Sequence, residues 1–180
     1  MPRLVLILLL FGTARLVAQA PEQWVLEAST LTYHVSHPLH QTEGVSHAAR
    51  GKGVCQAGEC SFLVAAPVQS FSSGDSNRDL HMLQVARGGQ FPMVTVRTRL
   101  SATASSLDTI FADVDVEFAG QTAHYAHVPF QRVPEGNDTH ISGVIPATLS
   151  DFKIDPPALF GIPVKNDVPV RVELTWRKAS

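Results

Sequence analysis

The chain has 180 residues, of which 44% are hydrophobic and 17% charged, with a formal net charge of −2. That length and apolar fraction suit one domain with a sizeable core. The basic residues form no run and do not alternate with aromatics, so nothing favours a nucleic-acid partner.

The first twenty residues carry Arg3, an apolar run from Leu4 to Phe11, and a small-x-small pattern at Ala18-Gln19-Ala20. The run falls well short of the ~20 residues that a bilayer span needs, so the segment reads as a secretory signal peptide, residues 1–20. The domain is then expected over 21–180, outside the cytoplasm, periplasmic or secreted. Loss of Arg3 and Arg15 with that leader makes the mature chain more acidic than the full one. No later stretch is apolar and long enough for a membrane-spanning helix.

Strands are expected where side chains alternate. "LTYHV" groups Leu31, Tyr33 and Val35 and turns His34 outward. "VSHAARGKGVC" groups Val45, Ala49 and Cys55, and "CSFLVAA" groups Cys60, Phe62, Val64 and Ala66. Cys55 and Cys60 flank a short turn, and in an oxidising compartment a disulfide across a hairpin is the expected use. A redox pair would more often be C-x-x-C beside a helix, and two thiols do not make a zinc site.

One helix is expected after these strands. Ser76-Asn77-Arg78-Asp79 fits a capping box. Leu80, Leu83 and Ala86 follow at near-helical spacing, and Gly88-Gly89 supplies a stop. The serine, aspartate and histidine of "SFSSGDSNRDLHM" also suggest a hydrolytic triad, but there is no Gly-x-Ser-x-Gly elbow, and Ser73 beside Gly74 is a turn residue.

Beyond the helix, "FPMVTVRTRL", "TAHYAHVPF" and "THISGVIPA" are strand candidates of less regular parity. "IFADVDVEF" is cleaner: Ile110, Ala112, Val114, Val116 and Phe118 share one face against Asp113, Asp115 and Glu117. "VPVRVELTW" likewise sets Val168, Val170, Val172, Leu174 and Trp176 against Arg171, Glu173 and Thr175. Strands with one dry and one wet face, separated by glycine turns, predict an all-β fold. About eight antiparallel strands form a closed barrel or a sandwich, with a short helix over one end.

"FSSGDSNRDLHMLQVARGGQFPMVTV" resembles the signature of the YceI-like proteins, with Arg78, Asp79, His81, Met82, Phe91 and Pro92 at the corresponding places. "LTYHVSHPLH" resembles that family's first strand. "IPATLSDFKIDPPALFGIPVKNDVPVRVELTW" resembles the end of the domain in secreted members, so the likeness runs over roughly residues 29 to 177. The cysteine pair and the segment from His37 to His47 depart from the family pattern. The resemblance implies an extended lipocalin-like barrel that holds an isoprenoid lipid, a polyprenyl or quinone tail, without catalysis and without a required metal or cofactor. Arg78, Asp79 and His81 would be structural, tying the helix to the strands.

Such a ligand needs a dry tunnel with few polar groups. The expected wall residues are Leu31, Tyr33, Val35, Phe62, Val64, Val114, Val116, Phe118, Val172 and Leu174, with Phe71, Phe91 and Phe130 nearer the ends. The same side chains would equally fill the core of a small barrel. Two other readings stand beside lipid binding. His37, His40 and His47 could be gathered into a metal-binding loop by the bend at Pro38, or the barrel could be a ligand-free interaction module. A homodimer is compatible with either reading.

Overall fold

The computed structural model describes residues 20–159 and 161–179. The expected signal peptide therefore lies outside the described residues, Ala20 excepted. In chain order the elements are β1 (Glu22–His37), β2 (His40–Ser46), β3 (Arg50–Gln56), β4 (Glu59–Pro67), α1 (Ser76–Val85) and β5 (Met93–Ser101). There follow β6 (Thr109–Phe118), β7 (Gln121–Glu135), β8 (Asp138–Ile145), the two-residue β9 (Ala158–Leu159) and β10 (Ile162–Pro163), and β11 (Val170–Lys178).

Eight of these strands close into an antiparallel barrel, in the order β11-β8-β7-β6-β5-β4-β3-β1, because β1 pairs with both β3 and β11. Closure removes the free edges that would otherwise invite aggregation. The strand β2 lies outside the circuit as a hairpin flap on the second half of β1. The inward side chains of β6 are the buried ones: Ile110, Ala112, Val114 and Val116 are all at most 7% exposed. Its outward carboxylates meet cross-strand partners, as where Arg97 of β5 reaches Glu117 at 3.1 Å.

Bulges shift the faces of two strands, β1 and β7. In β1 the register against β11 shifts between Leu26 and Ala28, so the buried residues step from Leu26 to Ser29 to Leu31. In β7 the shift falls opposite Ala112–Val114, where His127 takes a φ of 54° and its N–H is held by the Asp113 carboxylate at 2.9 Å. Each bulge adds one residue and flips the faces beyond it. The expected grouping of Val45 with Ala49 and Cys55 is corrected here. Val45 pairs with Thr32 on the outer face of the β1–β2 hairpin, while its neighbours Gly44 and Ser46 are buried. The turn between β2 and β3 resets the parity before Ala49.

The ends of the barrel are built differently. One end is the β3–β4 hairpin, where Ala57 and Gly58 both have positive φ (53° and 84°), the geometry of a two-residue turn matched to strand twist. Cys55 and Cys60 face each other across it and are disulfide-bonded. The other end carries α1 and the long β8–β11 connection, which includes the β9–β10 hairpin.

The helix forms, with both its signals displaced by one residue. Its N-cap is Asp75, not Ser76: the Asp75 carboxylate accepts from the N–H groups of Asn77 and Arg78. Asp79 instead reaches back beyond the cap to accept from Ser73 N–H, Ser73 Oγ and Ser72 Oγ, fastening the helix to the preceding turn. At the far end Arg87, not Gly88, takes the left-handed conformation, with Gly88 N–H donating to Leu83 O and Arg87 N–H to Gln84 O. Those two bonds make a Schellman stop with arginine where glycine is usual.

Candidate functional site: an apolar lumen

The barrel encloses a cavity of about 800 Å³. Every barrel strand contributes inward side chains to its wall: Leu31 and Tyr33 from β1, Phe62 and Val64 from β4, Val94 and Val96 from β5, Val114 and Val116 from β6, Phe130 from β7, Ile141 from β8, and Val172 and Leu174 from β11. Cys55 represents β3, where glycines make room for rings from β4 and β11 on either side. A Cβ on Gly51 would lie 2.8 Å from Trp176, and one on Gly53 only 2.3 Å from Phe62. The Phe62 and Trp176 rings meet edge to face with centroids 5.2 Å apart. With Trp24 and the fully buried Cys60 they form the disulfide end of the wall.

Of the expected wall residues, Leu31, Tyr33, Val35, Phe62, Val64, Phe71, Val114, Val116, Phe118, Phe130, Val172 and Leu174 all line the cavity. Phe91 does not. It lies over the β6–β7 turn, where a Cβ on Gly120 would come within 2.5 Å of its ring, with Arg87 5.8 Å from the ring centroid. Sequence reasoning also left out parts of the wall. Val94, Val96, Thr98 and Leu100 alternate plainly along β5, a signal that was available. Phe152 and Ile154 come from a 3₁₀ turn and the coil after it, where no period marks an inward face. Phe152 nonetheless packs edge to face on Phe118 at 5.3 Å.

Polar groups gather at the ends of the lumen. At the helix end stand Tyr33, His37, His40, Thr42, Arg78 and His81, and at the disulfide end Glu22, Ser105, Ser106, Arg132 and Thr139. Burial raises the pKa of the Tyr33 hydroxyl, with a smaller push from the nearby Asp79 charge partly offset by Arg78. Asp79 is held below its ordinary value, first by the Ser73 hydroxyl and then by further bonds from Ser73 N–H and Ser72. Ser73 is thus engaged by Asp79 and accepts from Arg78 Nε at 3.4 Å, so the serine, aspartate and histidine stretch at 70–82 is a fastened turn and not a triad.

The loop expected to gather three histidines is not formed. His37 and His40 do adjoin, their ring centroids 5.2 Å apart, but His47 lies on the outer wall, bonded to Ser29 O and Thr30 Oγ1. The intervening β2 runs straight back along β1, which separates the two sites. Among the described residues no group of three His, Cys, Asp or Glu side chains is placed to hold a metal ion. His34 points outward to Glu43 at 3.1 Å.

No family sequence model and no curated protein matches the chain. Solved structures do. The barrel superposes on Burkholderia cenocepacia BcnA with a TM-score of 0.69 at 16% identity, over 82% of this chain and 95% of that one. A polyisoprenoid binding domain from Saccharophagus degradans, implicated in plant cell wall breakdown, gives 0.67 at 14% identity, over 87% and 98%. The Campylobacter jejuni YceI protein gives 0.53 at 12% identity, over 67% and 72%. The chain has the YceI fold. At these identities the likeness is one of fold: a YceI-type barrel with its own cysteine bridge and its own histidine-bearing hairpin.

Proposed function

We propose that this chain is a secreted or periplasmic YceI-like protein, domain 21–180, that binds an isoprenoid-type lipid in its lumen without acting on it chemically. The observation that carries this reading is the cavity itself, about 800 Å³ of continuous wall whose middle is almost wholly hydrocarbon. A filled core would leave no such space, since protein interiors pack like crystals. At water's share of about 30 Å³ per heavy atom, the lumen holds roughly 27 heavy atoms, or about five isoprene units. Each buried CH₂ contributes about 0.8 kcal/mol, so a branched hydrocarbon needs no specific contact to bind there. The Saccharophagus domain of the same fold is described as polyisoprenoid binding, which supports the ligand class. The apolar leader and the Cys55–Cys60 bridge support an oxidising compartment.

The test is the mass of the leader-free protein by non-denaturing mass spectrometry, followed by solvent extraction. A discrete added mass that extracts as an isoprenoid is the expected result. A bare chain that also takes up no added polyprenol or quinone would replace this reading with the ligand-free module.

A further inference from the structure

Two hairpins meet at the helix end of the barrel, and neither tip carries a formally charged side chain. Residues 35–42 of the β1–β2 hairpin and 156–164 around the β9–β10 hairpin contain no Asp, Glu, Lys or Arg. What they expose is hydrocarbon. Leu39 is 66% exposed, the most of any large hydrophobic side chain among the described residues, and Leu159 and Ile162 are 41% and 40% exposed. Pro38, Ala158 and Pro163 beside them are exposed as well.

One buried imidazole holds the two tips together. His37 Nδ1 accepts from Leu39 N–H at 3.2 Å, and Nε2 donates to Ile162 O at 3.1 Å. The backbones of the two apolar residues are thus fixed on either side of a single ring. A second tie lies next to it, where Lys165 N–H donates to Ser36 O at 2.8 Å. Leu159 and Ile162 stand directly opposite each other in the β9–β10 pair, which puts their side chains on one face. Pro157, Ala158 and Leu159 also line the lumen. Ala158 and Leu159 therefore belong to the inner wall and to the outer surface at once, and the apolar wall continues onto the exterior at this hairpin.

We infer that this edge, Leu39, Leu159 and Ile162 set in place by His37, docks on the surface of a lipid bilayer. The docking rests on the lipid reading above and adds to it the surface on which the barrel meets a membrane. Exposed apolar patches mark contacts with proteins or with membranes. A protein interface surrounds its apolar centre with charged and hydrogen-bonding side chains. Residues 156–164, Pro-Pro-Ala-Leu-Phe-Gly-Ile-Pro-Val, have no side chain able to make a hydrogen bond. Continuity with the lumen favours the bilayer in its own right. A hydrocarbon chain that moves over Ala158 and Leu159 passes between the barrel and the acyl phase without exposing its methylenes to water. Asp155 and Lys165 flank the segment with opposite signs, so the contact is apolar and calls for no anionic lipid.

The leader-free protein is floated with vesicles of phosphatidylcholine and, in parallel, offered polyprenol dispersed without vesicles. The wild type is expected to rise with the vesicles, and to do so equally at high salt. Leu39→Asp and Ile162→Asp should each lower the vesicle partition coefficient about ten-fold, the scale of one leucine-sized side chain kept out of hydrocarbon. Neither residue lines the lumen, so polyprenol uptake should be unchanged in both. Phe111→Asp is the control: that ring is 61% exposed on the outer wall of β6, and its loss should leave flotation as it was. Protein that takes up polyprenol but does not rise with the vesicles overturns the docking edge and leaves the lipid reading standing. So does flotation that high salt abolishes, that both hairpin variants retain in full, or that Phe111→Asp weakens as much as they do. A dimer of the free protein that Leu39→Asp turns into a monomer also overturns it, since the edge is then a contact between copies of the chain. Protein that takes up no polyprenol overturns the lipid reading and the docking together.

Discussion

The two ends of the barrel solve the same closure problem with different materials. The disulfide end is short and rigid: a two-residue turn, a covalent cross-link and the rings of Phe62 and Trp176 wedged against glycines. The helix end is assembled from α1, the β1–β2 hairpin and the β8–β11 connection, joined by side-chain-to-backbone bonds such as His37 to Ile162 and Arg87 to Phe152. Elements joined by a few side-chain hydrogen bonds open at lower free energy than a cross-linked core. The comparison teaches that one end is closed by a covalent bond and close-packed rings, and the other by separate elements held through side-chain bonds.

The strongest way to break this contrast is Trp176→Ala, which removes a ring that is 5% exposed and packed on Phe62. A loss of about 3–5 kcal/mol in chemical denaturation is expected. A sharper probe compares two glycines with similar backbones. Gly58→Ala and Gly120→Ala both force alanine into the left-handed region, at roughly 1–2 kcal/mol each. Only Gly120 also meets an obstacle, the Phe91 ring at 2.5 Å, whereas Gly58 has nothing within 4 Å. The overpacking should add roughly 1–3 kcal/mol at Gly120 alone. Equal melting temperatures for the pair would remove Phe91 from the account of that turn.

Reduction of the bridge, or Cys55→Ser with Cys60→Ser, should cost roughly 2 kcal/mol for so short a loop. The helix end should register it weakly in hydrogen exchange. Asp75→Ala should cost about 1 kcal/mol and fray the first turn of α1, since Asp75 is the residue that caps it. The smallest effect concerns acid. Because the native pKa of Asp79 is lowered, its contribution is complete above about pH 4 and is lost as pH falls through the native value. Amide exchange at residues 72–79 should quicken over that acid window, and Asp79→Asn should abolish the pH dependence.

How much of this was legible in the sequence follows from where the backbone is regular. Along β6 and β11 no bulge intervenes, and the alternation at 110–118 and 168–176 names the lumen wall directly. In β7 both Tyr125 and Val128 pack toward the core, three residues apart, because the bulge at His127 inserts a residue that no period-two pattern marks. The bulge in β1 does the same between Leu26 and Ser29. Such shifts are set by strand pairing, a long-range property. The helix was legible as a helix, yet Ser76 and Asp75 compete for the same capping role, and only the chain's entry angle decides between them. Phe91 has the composition of a wall residue, and its place over Gly120 depends on a turn almost thirty positions away. His37 and His40 could be named from sequence but not told apart. Whether His37 or His40 is available depends on Ile162, which arrives from the far side of the fold.

The chain has two tryptophans, Trp24 and Trp176, and both line the lumen at its disulfide end. Neither approaches the helix. Their ultraviolet emission therefore samples one depth of the barrel and no other part of it. An occupant confined to the helix half leaves that light unchanged, while one whose tail reaches the bridge alters its colour or dims it. The protein carries its own optical depth gauge, readable without a label.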